Sequence, residues 1–340
     1  MSAAEHIPAR GNRLLGQFAW LVVFYNVLVI LWGALVRATG SGAGCGNHWP
    51  LCNGEVIPVS PSAHTIIEFT HRMMTGGSAF FVLGLLIWTF RGTVKHQAAR
   101  GFAVASGILL LNEAFLGALL VKLGYVTGNQ STGRMVMLSI HLSNTLLLIA
   151  ALTLTAHFLG TGQRWAELRN RRGFGWAIAG LAATIAVGVS GSVAALGDTL
   201  FPAATLRDAF AQDFAAGAPA ILRLRLIHPA SALIAAAFVL WLVAQSRRPG
   251  ETGPRTERSA LPMLVLGLLA VQFVLGIADV LLLAPAWMQL LHLLGADLYW
   301  VALVLLAAET LWPVASGRHL WAEPASGSSA TTAEPASLSR

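Results

Sequence analysis

The sequence predicts an all-α integral membrane protein, with eight transmembrane helices arranged as two tandem four-helix bundles. Three observations predict it: a scarcity of charge, eight apolar runs of membrane-spanning length, and an internal repeat near 155 residues. Of the 340 residues, 56% are hydrophobic and 11% charged, and mean hydropathy is +0.67. A soluble domain carries about 25% charged residues, so this chain could not cover a globule of its size with polar surface. The same numbers exclude an intrinsically disordered chain. Two cysteines, Cys45 and Cys52, exclude a disulfide-built scaffold and a four-cysteine zinc or iron–sulfur site.

The first half, 16–160, holds apolar runs at 16–36, 64–90, 101–121 and 134–159; the second, 174–312, holds them at 174–195, 218–244, 260–283 and 286–311. Each supplies the ~20 residues needed to cross the hydrocarbon as a helix. Their Leu, Ala, Val and Phe runs lack the alternation of barrel strands, which leaves a helical bundle. Residues 1–15 show no signal-peptide pattern, so the first span reads as an uncleaved helix. Residues 161–173 link the halves, and the Ser/Ala/Pro-rich tail 313–340 is expected to be disordered.

The repeat is visible residue by residue. His71 pairs with His228, 157 residues on, and His141 with His292, 151 residues on. Glu113-Ala-Phe-Leu-Gly117 aligns with Gln272-Phe-Val-Leu-Gly276, and Gly33 matches Gly188. Such offsets argue for a duplicated four-helix unit. Because four is even, both copies share one topology and should be related by an axis along the membrane normal.

Basic residues set the orientation. Fifteen Lys and Arg fall in the termini and even-numbered loops, while the opposite loops hold four: Arg37, Lys122, Arg134 and Arg207. Arg72, Arg223 and Arg225 lie within or at the mouths of spans. Both termini are therefore expected to face the cytoplasm. This also explains the net charge of +7 through the lipid bilayer and without nucleic acid.

In that orientation the even-numbered spans run inward, and all four histidines lie about 6–10 residues into them, roughly 9–15 Å deep at 1.5 Å per residue. One membrane histidine is ordinarily a packed, hydrogen-bonded residue. Two per repeat at one depth point further, since polar groups in hydrocarbon tend to mark function. Two facing imidazoles can ligate one metal axially, and haem iron takes two such ligands. Zinc would need more, and no Cys, Asp or Glu completes a four-ligand set in the second repeat.

The repeats differ beside their histidines. Glu68 precedes His71 by three residues, hence on the same helix face; the position before His228 is Arg225. A carboxylate there could relay protons or hold a histidine tautomer; an ordinary pairing with Arg72 or His71 is the bland alternative. The cation in the second repeat suits a permanently held haem, with Arg223, Arg225, Arg37 and Arg134 as candidates for neutralising propionates. Glu113 aligns with Gln272, so interhelical hydrogen bonding accounts for it. The loop Gly44-Cys-Gly-Asn-His-Trp-Pro-Leu-Cys52 lies on the oxidising side, where Cys45 and Cys52 could close a disulfide. A redox-active pair and a structural staple both fit.

At this point Gly33-Ala-Leu-Val-Arg-Ala-Thr-Gly-Ser-Gly-Ala-Gly-Cys-Gly-Asn-His-Trp-Pro-Leu-Cys52 and Ile67-Glu-Phe-Thr-His-Arg72 resemble the bacterial haem A synthase family. Ser139-Ile-His-Leu-Ser143, Leu226-Ile-His-Pro-Ala230 and Leu290-Leu-His-Leu-Leu294 match it too, so the resemblance covers roughly residues 15–312. It implies oxidation of the C8 methyl of haem O to a formyl group, through two hydroxylations and a geminal diol that loses water. It further implies that His71 and His141 frame the substrate haem, with Glu68 contributing to the chemistry, and that His228 and His292 hold a haem b cofactor. Implied partners are a haem O synthase and an electron donor, in a prokaryotic plasma membrane. Some members carry a second cysteine pair in the third outer loop; here that loop, Leu196-Gly-Asp-Thr-Leu-Phe-Pro202, has none.

Rival readings explain less. A dihaem cytochrome b passing electrons from a quinol accounts for four histidines but not for the Glu68/Arg225 asymmetry or the cysteine loop. A membrane thiol–disulfide carrier leaves the histidines idle, and a transporter accounts only for spans and duplication.

Overall fold

Among the described residues, eight helices long and apolar enough to cross a membrane account for every span read from the sequence, at 13–38, 63–92, 98–122, 132–161, 174–200, 220–245, 261–281 and 286–311. A computed structural model describes residues 10–163, 171–246 and 260–312. The segments 1–9, 164–170, 247–259 and 313–340, with several of the basic residues used for orientation and the tail expected to be disordered, lie outside the described residues.

The first bundle is α1 (Arg10–Ala38), α2 (Ala63–Gly92), α3 (Ala98–Lys122) and α4 (Thr132–Thr161). Local chemistry sets their limits. Ser62 and Ser131 cap α2 and α4 by accepting from the Thr65 and Arg134 N–H groups, at 3.2 and 3.3 Å. Gly162, at φ +65°, ends α4 in the left-handed conformation. The second bundle is α5 (Arg171–Leu200), α8 (Ile227–Ser246), α9 (Leu261–Leu281) and α10 (Ala286–Leu311). In each, the four helices pack in a closed ring in chain order.

The bundles meet where α4 and α1 face α10 and α4 faces α5. Val27, Leu146 and Ile149 of the first half share one core with Val239, Leu303 and Leu306 of the second. Lipid is as apolar as these side chains, so close packing and interhelical hydrogen bonds, rather than exclusion from water, drive this association. One such bond crosses the seam: the Trp300 indole donates to the Leu146 carbonyl at 2.8 Å.

Two features depart from eight plain spans. The sixth is broken into α7 (Ala220–Leu224) and α8, with a turn at Arg225 and Leu226. Pro229 has no N–H to offer the Arg225 carbonyl four residues back, and that carbonyl instead accepts from the His228 N–H at 3.2 Å. The short helix α6 (Leu206–Phe214), capped by Thr205, precedes this break.

Candidate functional site

The four histidines all lie at the disulfide end of the bundle, seven to ten residues into spans that begin at Ala63, Thr132, Ala220 and Ala286. Each packs against a glycine of the span before it. A methyl group added at Gly33 or Gly191 would lie 3.0 or 2.9 Å from Cε1 of His71 or His228. One added at Gly117 or Gly276 would lie 3.6 Å from His141 Nε2 or 3.4 Å from His292 Cε1. The same cradle thus occurs four times, twice per half. The counterpart of Gly33 is Gly191 rather than the Gly188 suggested by alignment; the three-residue slip is almost one turn, so both lie on one helix face.

The second pair comes together. The His228 and His292 rings are 6.4 Å apart between centroids, at 81° to each other. That separation suits one metal ion between two imidazoles, given metal–nitrogen bonds of about 2.0–2.1 Å. A largely apolar cavity of about 660 Å³ adjoins both rings, with Gly191, Gly276, Arg37 and Arg225 in its wall. This lies within the roughly 300–1,000 Å³ of cofactor sites, and the donor set fits a bis-histidine haem. Among the described residues no cluster of three or more His, Cys, Asp or Glu is arranged for a metal ion. His71 and His141 stand on α2 and α4, the diagonal helices of the first ring, as His228 and His292 stand on α8 and α10 in the second.

The Nδ1 atoms differ in what holds them. That of His228 lies 3.2 Å from both Ser190 Oγ and the Val187 carbonyl. That of His141 lies 3.0 Å from Glu113 Oε1. Those of His71 and His292 are buried with no partner among the described residues. Glu113 also makes the interhelical bonds expected of it, accepting from Asn144 Nδ2 and Thr145 Oγ1. Its reach to His141 was not legible in the sequence, where the two residues stand 28 apart.

Glu68 is buried and engaged at both oxygens. Oε1 pairs with Arg72 at 2.5 Å, and Oε2 accepts from the Cys45 N–H at 2.8 Å. Arg72 in turn donates to the His48 and Leu51 carbonyls at 2.6 and 2.7 Å. Both residues therefore tie the cysteine loop to α2 one turn from His71. Cys45 and Cys52 form a disulfide with Cα atoms 4.3 Å apart, and both are buried. The loop presses so closely on α2 that a methyl at Gly44 would meet the His64 carbonyl oxygen.

Arg225 is neutralised by carboxylates, Asp198 at 2.7 Å and Asp213 of α6 at 2.6 Å. Arg37 crosses the seam: it donates to the Ala195 carbonyl and Thr199 Oγ1, both at 2.9 Å, and to Gln289 Oε1 at 2.7 Å. Of the four arginines considered for propionates, Arg37 and Arg225 line the cavity. Arg134 donates to the Asn129 carbonyl and Arg223 to those of Ala215 and Ala216.

Fold and site define a polytopic membrane protein of two four-helix bundles, each carrying two histidines that pack against glycine. The chain belongs to the COX15-CtaA family, described as cytochrome oxidase assembly protein, whose model matches residues 16–304. It is 42% identical over 304 residues, 88% of this chain and 49% of the relative, to a Thermus thermophilus protein named protoheme IX farnesyltransferase. It is 35% identical over 162 residues to heme A synthase of an Exiguobacterium species, covering 47% of this chain and 51% of that one. To heme A synthase of Shouchella clausii it is 41% identical over 115 residues, 34% and 37% of the two chains. The chain spans about half the length, or less, of these curated relatives.

Proposed function

We propose that this protein is a haem A synthase, an oxidoreductase that converts the C8 methyl of haem O to a formyl group by two successive hydroxylations, supplying haem A to terminal oxidases. The observation that carries this reading is the duplicated histidine pair with unlike surroundings, one half built to react and the other to hold. His71 and His141 frame the haem O substrate, and Glu68, one turn from His71, moves protons at that site. His228 and His292 hold haem b, which supplies one-electron transfer when bound. Ser190 and the Val187 carbonyl fix the His228 ring; Arg37, in the cavity wall, is the arginine left to pair with haem propionates, because Arg225 is held by Asp198 and Asp213.

The heme A synthase relatives support the activity, and the family supports haem as the ligand. A haem O synthase as partner is supported by the Thermus relative's name, since a farnesylated haem is the substrate class this reading requires. An electron donor outside the chain completes the reaction. The basic-residue bias supports both termini facing the cytoplasm, and the bacterial heme A synthase relatives support a prokaryotic plasma membrane.

The test is the pigment of the purified protein, with its haems extracted and separated by chromatography. Haem b together with haem O or haem A is expected. Two equivalents of haem b alone would overturn the synthase reading in favour of a dihaem cytochrome b.

A further inference from the structure

We propose that Glu113 is a positioning residue for His141, fixing the Nδ1-protonated tautomer and making its Nε2 the strongest electron donor among the four histidines. This rests on the reading that the histidine pairs hold haem. The argument begins with Glu113 itself. It lies in α3, inside a membrane span, where an unpaired carboxylate would be costly. Three groups satisfy it: His141 Nδ1 and Thr145 Oγ1 at one oxygen, and Asn144 Nδ2 at the other.

Asn144 is itself held, accepting from Asn112 Nδ2 at 2.8 Å and donating to the Leu109 carbonyl at 2.9 Å. The Thr145 hydroxyl also lies 2.9 Å from the His141 carbonyl, an alternative acceptor for its one proton. The carboxylate is thus locked in position between α3 and α4. Since a carboxylate accepts and does not donate, the His141 proton must sit on Nδ1. Nε2 is left as the lone-pair nitrogen, beside Gly117.

A carboxylate behind a ligating imidazole raises its basicity. None of the other three rings has one. His228 is backed by a hydroxyl and a backbone carbonyl, and His71 and His292 have no Nδ1 partner. In the second half the position of Glu113 is Gln272, whose Nε2 is also without a partner. A stronger donor favours ferric over ferrous iron, so the first site should carry the lower potential of the two by virtue of Glu113.

The experiment uses the full chain in detergent with both sites loaded, and follows a spectroelectrochemical titration. Glu113→Gln, which keeps size, should weaken the ferric preference of one haem about tenfold, the lower end of such outer-partner effects. For a one-electron couple that is an upward shift of about 59 mV. The other haem should be unmoved. Gln272→Glu should lower the potential of the second haem. Two bound haems with neither potential moved by Glu113→Gln, or both moved alike, would overturn the proposal.

A second readout needs no haem. In the ¹⁵N-histidine-labelled, haem-free protein, His141 should show a hydrogen-bonded Nδ1 proton that Glu113→Gln shifts while the His228 signal stays. Its absence from the unsubstituted protein would overturn the proposal. A protein that binds haem at neither pair would instead overturn the haem reading, leaving the Nδ1 signal to decide the hydrogen bond.

Discussion

In the first half the ring on α2, His71, leaves Nδ1 without a partner while the ring on α4, His141, is backed by a carboxylate. In the second half the order is reversed: His228 on α8 is backed by Ser190 and the Val187 carbonyl, and His292 on α10 stands alone. The glycine cradles repeat, whereas the groups behind and above the rings do not. Glu68 and Arg72 bind the disulfide loop over the first pair, and Arg225 is absorbed by Asp198 and Asp213 over the second. The glycine–histidine contacts thus recur in both halves while the polar groups around them differ, which is the asymmetry the proposed division between substrate and cofactor sites requires.

The largest expected effect breaks one half only. Either His228→Ala or His292→Ala should abolish the tightly bound low-spin haem b, because one axial ligand cannot maintain a bis-histidine site. An absorption spectrum with its low-spin bands unchanged in both variants would remove the cofactor role from the second half.

Next comes Glu68→Gln. It should leave haem b content intact and reduce haem A formation by about 10²–10⁴-fold, the usual worth of general acid–base catalysis. Extracted haems should show haem O or a hydroxylated intermediate accumulating. Arg72→Gln frees the His48 and Leu51 carbonyls and leaves the carboxylate in place without its ion pair, so an equal loss in both variants would make the Glu68–Arg72 pair a loop latch and not Glu68 a proton carrier.

The smallest effect probes what the halves share. Gly191→Ala pushes a methyl to 2.9 Å from the His228 ring, an overpacking worth about 1–3 kcal/mol, and should lower haem per protein measurably. Gly117→Ala meets His141 at an ordinary 3.6 Å. It should retain haem and gain up to about 1 kcal/mol of helix stability. Equal haem loss in the two would show that the cradles are not graded as the contacts indicate.

The spans and the common depth of the histidines were legible because each depends on the order of residues along one helix. So was the closure of Cys45 on Cys52, seven positions apart. The Glu113–His141 contact was not, because it depends on how α3 and α4 rotate against each other. The Glu68–Arg72 pairing was legible at four-residue spacing, whereas the bond from the Cys45 N–H to Glu68 required the path of the loop. The break at Arg225 carried a visible signal in Pro229, and a continuous apolar run masked it. Asp213, the second carboxylate on Arg225, sits on a short helix between the fifth and sixth spans, and its reach to Arg225 depends on how that helix packs.

Arg37 carries a consequence for how the two halves came to share one chain. With Gly33 equivalent to Gly191, the residue equivalent to Arg37 is Ala195, whose carbonyl accepts the Arg37 hydrogen bond. A residue that touches its own counterpart stands beside the internal twofold axis. In a pair of identical subunits two arginines would converge beside that axis, each facing the other's main-chain carbonyl. A single covalent chain can keep the arginine in one copy and an alanine in the other. The fused polypeptide thereby holds an asymmetric centre that no homodimer of either half could assemble.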